Sequence, residues 1–537
     1  MKTIYSIILS ILFAGSLNAQ QIPFNYQIKL KTVQITNLSG LHSFAFAQSG
    51  GKWLVIGGRL DGLHARQPFS AFPAASSNTS VFVINVNTNQ YWTSSVNGLP
   101  TGLKEQLQST NMNFYQDKDS LFIIGGYGYS ASALDHITYP YLTSVNVSGL
   151  INAVIANTSI NGFFKQITDQ NFAVNGGQLG KIGNEFYLVG GHRFDGRYNP
   201  MGNPTYTQTY VSGIKKFKIN NSGTSLSYSN YTVITDQVHL HRRDYNLVPQ
   251  VFSNGEQGYT ISSGVFQIGV DLPFLYPVDV KASGYFPITS FNQYLSNYHS
   301  AKVALYDSVS NTMHSIFFGG MSQYKYINNV LTADNSVPFV KTISRVSRDA
   351  SNNLQENVFP NEMPALIGAS AEFIPNHTVS HYSNEVIKLS QITSDSVLVG
   401  HIYGGIHTTD ASAFTNNNIA ATNAHSTIYE VWLVKNSGGS ASLKPINGNN
   451  PLKITMFPNP TKNTFKFEFD LPENGDLDIF ITNIEGKIIW DKTFDGLQKG
   501  KTQLDLSNRI NLANGTYFFN LIFNGKYNAI EKVVVAN

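Results

Sequence analysis

Along most of the chain, apolar and polar side chains alternate in short runs closed by glycine, a period-two pattern that predicts brief β-strands rather than helices. Six runs end alike: Trp53-Leu54-Val55-Ile56-Gly57-Gly58, Leu121-Phe122-Ile123-Ile124-Gly125-Gly126, Phe186-Tyr187-Leu188-Val189-Gly190-Gly191, Gly258-Tyr259-Thr260-Ile261-Ser262-Ser263-Gly264, Ser315-Ile316-Phe317-Phe318-Gly319-Gly320 and His401-Ile402-Tyr403-Gly404-Gly405. The fourth has lost its first glycine. A long polar stretch follows each, then a third strand such as Val81–Val86 or Gly213–Ile219, then a fourth, more polar one.

Six repeats of four antiparallel strands predict an all-β fold, a six-bladed β-propeller over residues 20–435. A glycine pair at the end of the second strand fits that geometry, because blades converge there and a Cβ would meet the neighbouring blade or force a disfavoured φ. These units resemble kelch repeats, and Tyr91-Trp92 matches the aromatic that follows the third strand in that family. The resemblance spans Phe24 to Lys435 and is divergent, since the other units lack a clear Trp there. The last unit stops at its third strand, Thr427–Val434, while Asn25–Lys31 precedes the first unit, so the N-terminal strand is expected to complete the sixth blade and remove an open edge. An array of ordinary β-sandwiches is the alternative use of the same strands.

Composition shifts to Gly and Ser at 436–451, a linker by content, and a second domain is expected over 452–537. Its alternating runs, Phe465–Phe469, Asp478–Thr482, Lys487–Trp490 and Thr516–Ile522, predict a small Ig-like antiparallel sandwich. Phe457-Pro458-Asn459-Pro460, Asn483-Ile484-Glu485-Gly486-Lys487, Leu512-Ala513-Asn514-Gly515-Thr516-Tyr517-Phe518 and Glu531-Lys532-Val533-Val534-Val535 follow in the order seen in the type A C-terminal sorting domain of the type IX (Por) secretion system, which this segment resembles. That resemblance implies the type IX machinery as a partner through residues 452–537, and a secreted or surface-displayed product. A generic Ig-like adhesin module is the alternative.

The start of the chain agrees with export. Lys2, an apolar stretch from Ile4 to Ala14 and small Ala19 have the layout of a signal peptide over 1–19, and the stretch is too short to span a bilayer. With 537 residues, two domains are the default, and only 13% of residues are charged against roughly 25% in an average soluble protein. The net charge of +3 and the lack of a Lys/Arg-rich run give no footprint for nucleic acid. There is no cysteine, which excludes disulfides, thiolate catalysis, Cys-ligated metals and the Tyr–Cys crosslink of kelch-like copper radical oxidases.

In a propeller, the loops after the second strands and those entering the first strands share one face around the axis. The related segments Arg59-Leu60-Asp61-Gly62-Leu63-His64-Ala65-Arg66 and His192-Arg193-Phe194-Asp195-Gly196-Arg197 are therefore candidate ligand contacts, together with His42, Arg243, Asp244 and His299. Tyr127, Tyr129, Tyr139, Tyr206, Tyr324 and Tyr326 flank them, and Tyr324 is counted among the candidate ligand contacts. Aromatic faces with Arg, Asp and His suit a glycan or an extracellular protein ligand, since rings stack on C–H faces while charged groups read hydroxyls and acids. The structural alternative is equally concrete: Asp61-Gly62 and Asp195-Gly196 as turns held by Arg59 and Arg197, His42 and His299 as caps, and Arg243-Asp244 as an interblade ion pair.

His239-Leu240-His241 offers two imidazoles on one side of a strand but no third ligand at useful spacing, so neither a metal nor a cofactor is expected. Sialidase boxes, Gly-x-Ser-x-Gly, His-Glu-x-x-His and the P-loop are absent. The expectation is a secreted binding protein acting through its loop-rich face. Two alternatives stay open: a structural adhesin, or a sugar isomerase similar to a sialic-acid mutarotase on a six-bladed propeller, with Arg243 and Asp244 or His299 as its acid/base pair.

Overall fold

Each glycine-terminated run is the second strand of an antiparallel unit of four strands, which the fifth and sixth sheets extend with short added strands. In the computed structural model, which describes residues 22–200, 205–327, 330–436, 444–445, 452, 454–483, 488–507, 509–524 and 527–536, six such sheets follow one another. The expected leader (1–19), the linker apart from 436 and 444–445, and residues 484–487 of one C-terminal motif lie outside the described residues.

The first sheet is Ala45–Ser49, Lys52–Ile56, Ser80–Asn85 and Gln90–Ser95, and the second is Asn113–Asp117, Ser120–Ile124, Tyr141–Asn146 and Phe164–Thr168. The third is Gln178–Ile182, Glu185–Val189, Gly213–Ser222 and Ser225–Thr235, and the fourth is Asn246–Val251, Gln257–Ser262, Val278–Lys281 and Gly284–Pro287. Ala301–Asp307, Thr312–Phe318, Thr342–Arg348 and Leu354–Glu362 make the main part of the fifth. The sixth takes Leu366–Pro375, Ser396–Thr408 and Ile428–Lys435 from its own stretch of chain and Tyr26–Val33 from the start, paired antiparallel from Tyr26 opposite Lys435 to Val33 opposite Ile428. The strand exchange expected from the sequence is thus present.

The second strands are largely apolar toward their inner ends because both faces are buried there. Leu54 and Ile56 pack into a core shared with Leu121 and Ile123 of the second sheet, while Trp53 and Val55 face Tyr403 and Ile428 of the sixth. Phe122 and Ile124 then meet Phe186 and Leu188, whereas Tyr187 and Val189 meet Tyr259 and Ile261. Val248 and Val251 pack on Tyr306 and Phe317, and Val303 and Ile316 on Ile402 and Val431. One sheet therefore supplies two cores by simple alternation, each buried side chain contributing about 1.5–3 kcal/mol.

Among the described residues two α-helices interrupt the β pattern, Thr101–Leu107 and Val147–Ile155. The second is capped by the Asn146 side chain, which accepts from Gly149 N, and buries Leu150, Ile151 and Val154 in the core between the first two sheets. The polar stretches after the glycine pairs are built too: Tyr127–Ser130 pairs with Asp135–Thr138, His192–Gly196 with Tyr206–Tyr210, and Tyr324–Ile327 with Val330–Ala333. A separate two-sheet unit at the C-terminus buries Phe467, Ile479, Phe519 and Val533. Within it Asn459 accepts from Val534 N and donates to Lys532 O, while Asn463 both accepts from Leu512 N and donates to Leu512 O, so the Pro-Asn-Pro segment fastens the last strand and Asn463 just beyond it fastens the Leu-Ala-Asn-Gly segment.

At the inner ends of the six sheets the glycines are required. The second glycine of each pair donates to the next sheet, Gly58 to Ser109 O (2.8 Å), Gly126 to Val174 O (3.2 Å), Gly191 to Arg242 O (2.8 Å), Gly320 to Ile367 O (3.0 Å) and Gly405 to Leu41 O (2.9 Å). A Cβ on Gly125, whose φ is +68°, would lie 1.7 Å from Val174 O. Gly125→Ala is expected to destabilise the protein by about 3 kcal/mol or more, whereas Gly98→Ala, with nothing within 4 Å of its added Cβ, leaves it nearly unchanged. Denaturant unfolding of both variants checks this, and equal midpoints would refute it.

Candidate functional site

Each sheet places a residue in the left-handed conformation near the inner end of its first strand, just before the strand in five sheets and within Leu366–Pro375 in the sixth: Ser43 (φ 56°), Asn111 (54°), Gly176 (64°), Asp244 (49°), His299 (34°) and Ser370 (58°). Their backbones bond to one another, Ser43 N to Ser370 O (3.1 Å), Asn111 N to Ser43 O (3.2 Å), Gly176 N to Asn111 O (3.1 Å), Asp244 N to Gly176 O (2.7 Å) and Ser370 N to His299 O (2.6 Å). Among the described residues the link between Asp244 and His299 is not made by backbone. Side chains bridge that junction instead: Tyr298 OH donates to Asp244 (3.2 Å), Asn246 Nδ2 to Asn297 O (2.6 Å) and Ser300 N to Asn246 Oδ1 (3.1 Å).

The residues singled out by sequence gather on the loop side of this ring, but mostly as partners of each other. His42 pairs by backbone with Arg59, and Arg59 forks onto Asp61 and also donates to Pro73 O (3.3 Å). Burial pushes the Asp61 carboxyl up, but His42 and Arg59 outweigh it and hold the group at about 2. Arg243 is paired with Asp244 and donates to Tyr210 OH (3.0 Å). Burial raises Asp244 as well, and Arg243, His192 and His299 together bring it below the ordinary carboxylate value. His192 is hydrogen-bonded to Asn175 (2.7 Å) and Gln208 (2.6 Å), and burial keeps it neutral, at about 3. His64 is likewise held at about 4 by burial, stacked on Phe72 (4.5 Å) and edge-on to Tyr198 and Phe414.

Four details depart from expectation. Arg193, not Arg197, pairs with Asp195 (2.5 Å), while Arg197 reaches across to Phe69 O (3.3 Å). Asp195-Gly196 lies within a strand rather than a turn, because the loop continues as a hairpin. Tyr324 is buried on Tyr294, away from the others, since its hairpin folds back on the fifth unit. His239 and His241 lie outside any strand and part company, His239 to Tyr276 OH (2.9 Å) and His241 to Ser212 (2.9 Å).

On the other side of the ring, a cavity of about 220 Å³ is lined by the first strands of all six sheets. Ser43, Asn111, Gly176 and His299 belong to its ring end, and exposed His377 and Glu385 to its opposite end, where it reaches the surface. Between them stand Lys302 and Glu372, and the rings of Tyr115 and Tyr259. His299 Nε2 lies 3.7 Å from Glu372 Oε1. Burial lowers the Lys302 pKa, with Glu372 acting against it, and raises both tyrosines, Tyr259 to about 12, so these remain neutral phenols. Of the residues chosen from sequence only His299 lines this cavity. The signal for the others was a lone charge within a buried first strand: Lys302 in Ala301–Leu305 and Glu372 in Ala369–Ile374. A second space of about 220 Å³ on the loop side is bordered by Asp61 and His64.

The C-terminal unit matches the family described as secretion system C-terminal sorting domain over residues 455–536. Residues 455–536 form such a sorting domain. Its presence supports secretion or display at the cell surface through the type IX machinery, and among the described residues no helix is long and apolar enough to cross a membrane. No curated protein matches the chain. Among solved structures, one described as "Structure of YjhT" is similar at 10% identity and a TM-score of 0.41, over 76% of this chain and 100% of that one, too slight a likeness to fix fold or ligand beside the sorting domain.

Asp61 gives this region a measurable acid limb. Its folded value of about 2 lies below the unfolded value of roughly 3.9, so its contribution of about 2 kcal/mol is present above pH ~4 and is lost as pH falls toward ~2. Asp61→Asn is expected to lower stability by that amount at neutral pH, with the gap to wild type closing below pH ~4. Urea unfolding across that range checks it, and a constant gap would contradict the assignment.

Proposed function

We propose that this chain is an exported ligand-binding protein: a kelch-like six-bladed β-propeller, with a sugar-sized polar ligand held in its axial cavity, delivered outside the cell by the type IX sorting domain. The observation that carries the reading is the single cavity to which all six sheets contribute, with Lys302, Glu372 and His299 set among Tyr115, Tyr259 and Phe373. A few convergent charged groups between aromatic walls is the composition of a small-molecule site, with rings for C–H faces and charges for hydroxyl or carboxylate groups. The propeller reading draws on the six successive sheets, their shared cores and the pairing of Tyr26–Val33 with Ile428–Lys435.

The loop-rich face is a weaker candidate for small ligands, because Arg59, Arg193 and Arg243 are each matched by an internal aspartate. Its exposed Leu60, Phe69, Tyr129 and Ile327 suit a broader contact with a glycan chain or a protein. The His299–Glu372 pair favours a second reading of the cavity, acid–base turnover of the bound sugar.

A screen of mono- and oligosaccharides, including acidic sugars, tests this with wild type beside Glu372→Gln and Lys302→Met. Saturable binding weakened tenfold or more in both variants is expected. Absence of any saturable ligand, or a ligand indifferent to both substitutions, would overturn the cavity assignment. Anomeric exchange followed on any sugar that binds distinguishes turnover from binding alone.

A further inference from the structure

The loop joining the first two strands of the sixth sheet carries His377, His381 and Glu385, whose ligating atoms all lie within 4.8 Å of one another. The stretch that carries these three residues is not helical. It is folded by Val379 N to Asn376 O (3.0 Å), Glu385 N to Tyr382 O (3.0 Å), Tyr382 N to Val386 O (2.8 Å) and Lys388 N to Ser380 O (2.9 Å). Other sheets hold it in place: Asn384 Nδ2 donates to Gln250 O (2.9 Å), and Ile387–Lys388 pairs with Leu305–Tyr306. Glu385 takes a φ of 70°, which turns the chain there.

We propose that His377, His381 and Glu385 form a binding site for a divalent transition metal of the zinc class, at the open end of the axial cavity. His381 Nδ1 lies 2.8 Å from Val379 O. A carbonyl only accepts, so the imidazole donates from Nδ1 and its lone pair sits on Nε2, the arrangement that a backbone carbonyl behind the ring imposes on metal-ligating histidines. The His381 ring is stacked on His377 at 5.0 Å and 24°. His377 Nε2 in turn lies 2.8 Å from Glu385 Oε2. Three donors about 2 Å from one ion stand roughly 3.3 Å apart in a tetrahedral site, so only small side-chain rotations separate this arrangement from a coordinating one.

Two imidazoles and a carboxylate form a set of mixed nitrogen and oxygen donors suited to zinc, cobalt, nickel or copper rather than to calcium or magnesium. His377 and Glu385 also line the cavity, so the site borders it. The site goes beyond the sugar-binding reading and does not depend on it, since metal binding is measured without any sugar.

The test is titration of the purified, metal-stripped full chain with Zn²⁺ and with Co²⁺ in a non-chelating buffer, read by calorimetry and by the visible cobalt spectrum. One equivalent bound per chain is expected, weakened tenfold or more in His381→Ala and in Glu385→Gln and unchanged in His407→Ala, with circular dichroism showing all variants folded. Absence of saturable binding, or binding unaffected by His381→Ala and Glu385→Gln, would overturn the proposal.

Discussion

Backbone crowding where the inner ends of the six sheets meet is the constraint on which the rest of this structure depends. Each sheet contributes a residue in the left-handed region, and five of these six successive contacts are made by backbone hydrogen bonds. Left-handed backbone costs a non-glycine residue about 1–3 kcal/mol, and only Gly176 escapes that cost here. The conformation is kept because it turns an N–H on one sheet toward a carbonyl on the next. Glycine pairs one strand further out complete the arrangement, since a side chain there would occupy the neighbour's carbonyl.

The chemistry of the interior follows from where that backbone pattern is interrupted. Between Asp244 and His299 the connection passes to Tyr298 and Asn246, beside the Arg243–Asp244 pair. Buried charges persist only when paired. Arg59 with Asp61 and Arg243 with Asp244 satisfy that condition internally and so have little left to offer a ligand. Lys302, Glu372 and His299, by contrast, face one open space.

Much of the architecture was legible in the sequence because one local signal, an apolar run closing on glycine, recurs with the same physical cause each time. Trp53–Gly58 and Leu121–Gly126 read correctly as strands since alternate side chains feed two different cores. The sorting domain was legible for another reason: Asn459 and Asn463 bind directly to the other motif segments, so residues distant in sequence form one hydrogen-bonded patch. The site was less legible. Arg193 rather than Arg197 meets Asp195 because an unforeseen hairpin sets the side-chain directions, and His377, His381 and Glu385 converge through turns that no strand or helix period announces.

The account rests on the first described strand being an integral part of the sixth sheet rather than an appended ribbon. Hydrogen–deuterium exchange of the intact protein tests that claim most directly. Amides of Tyr26–Val33 that bond to Ile428–Lys435 are predicted to exchange in the same slow class as Asn111, Gly176 and Asp244 of the ring, through global opening. Fast, independent exchange of the Tyr26–Val33 strand while the ring stays protected would contradict it.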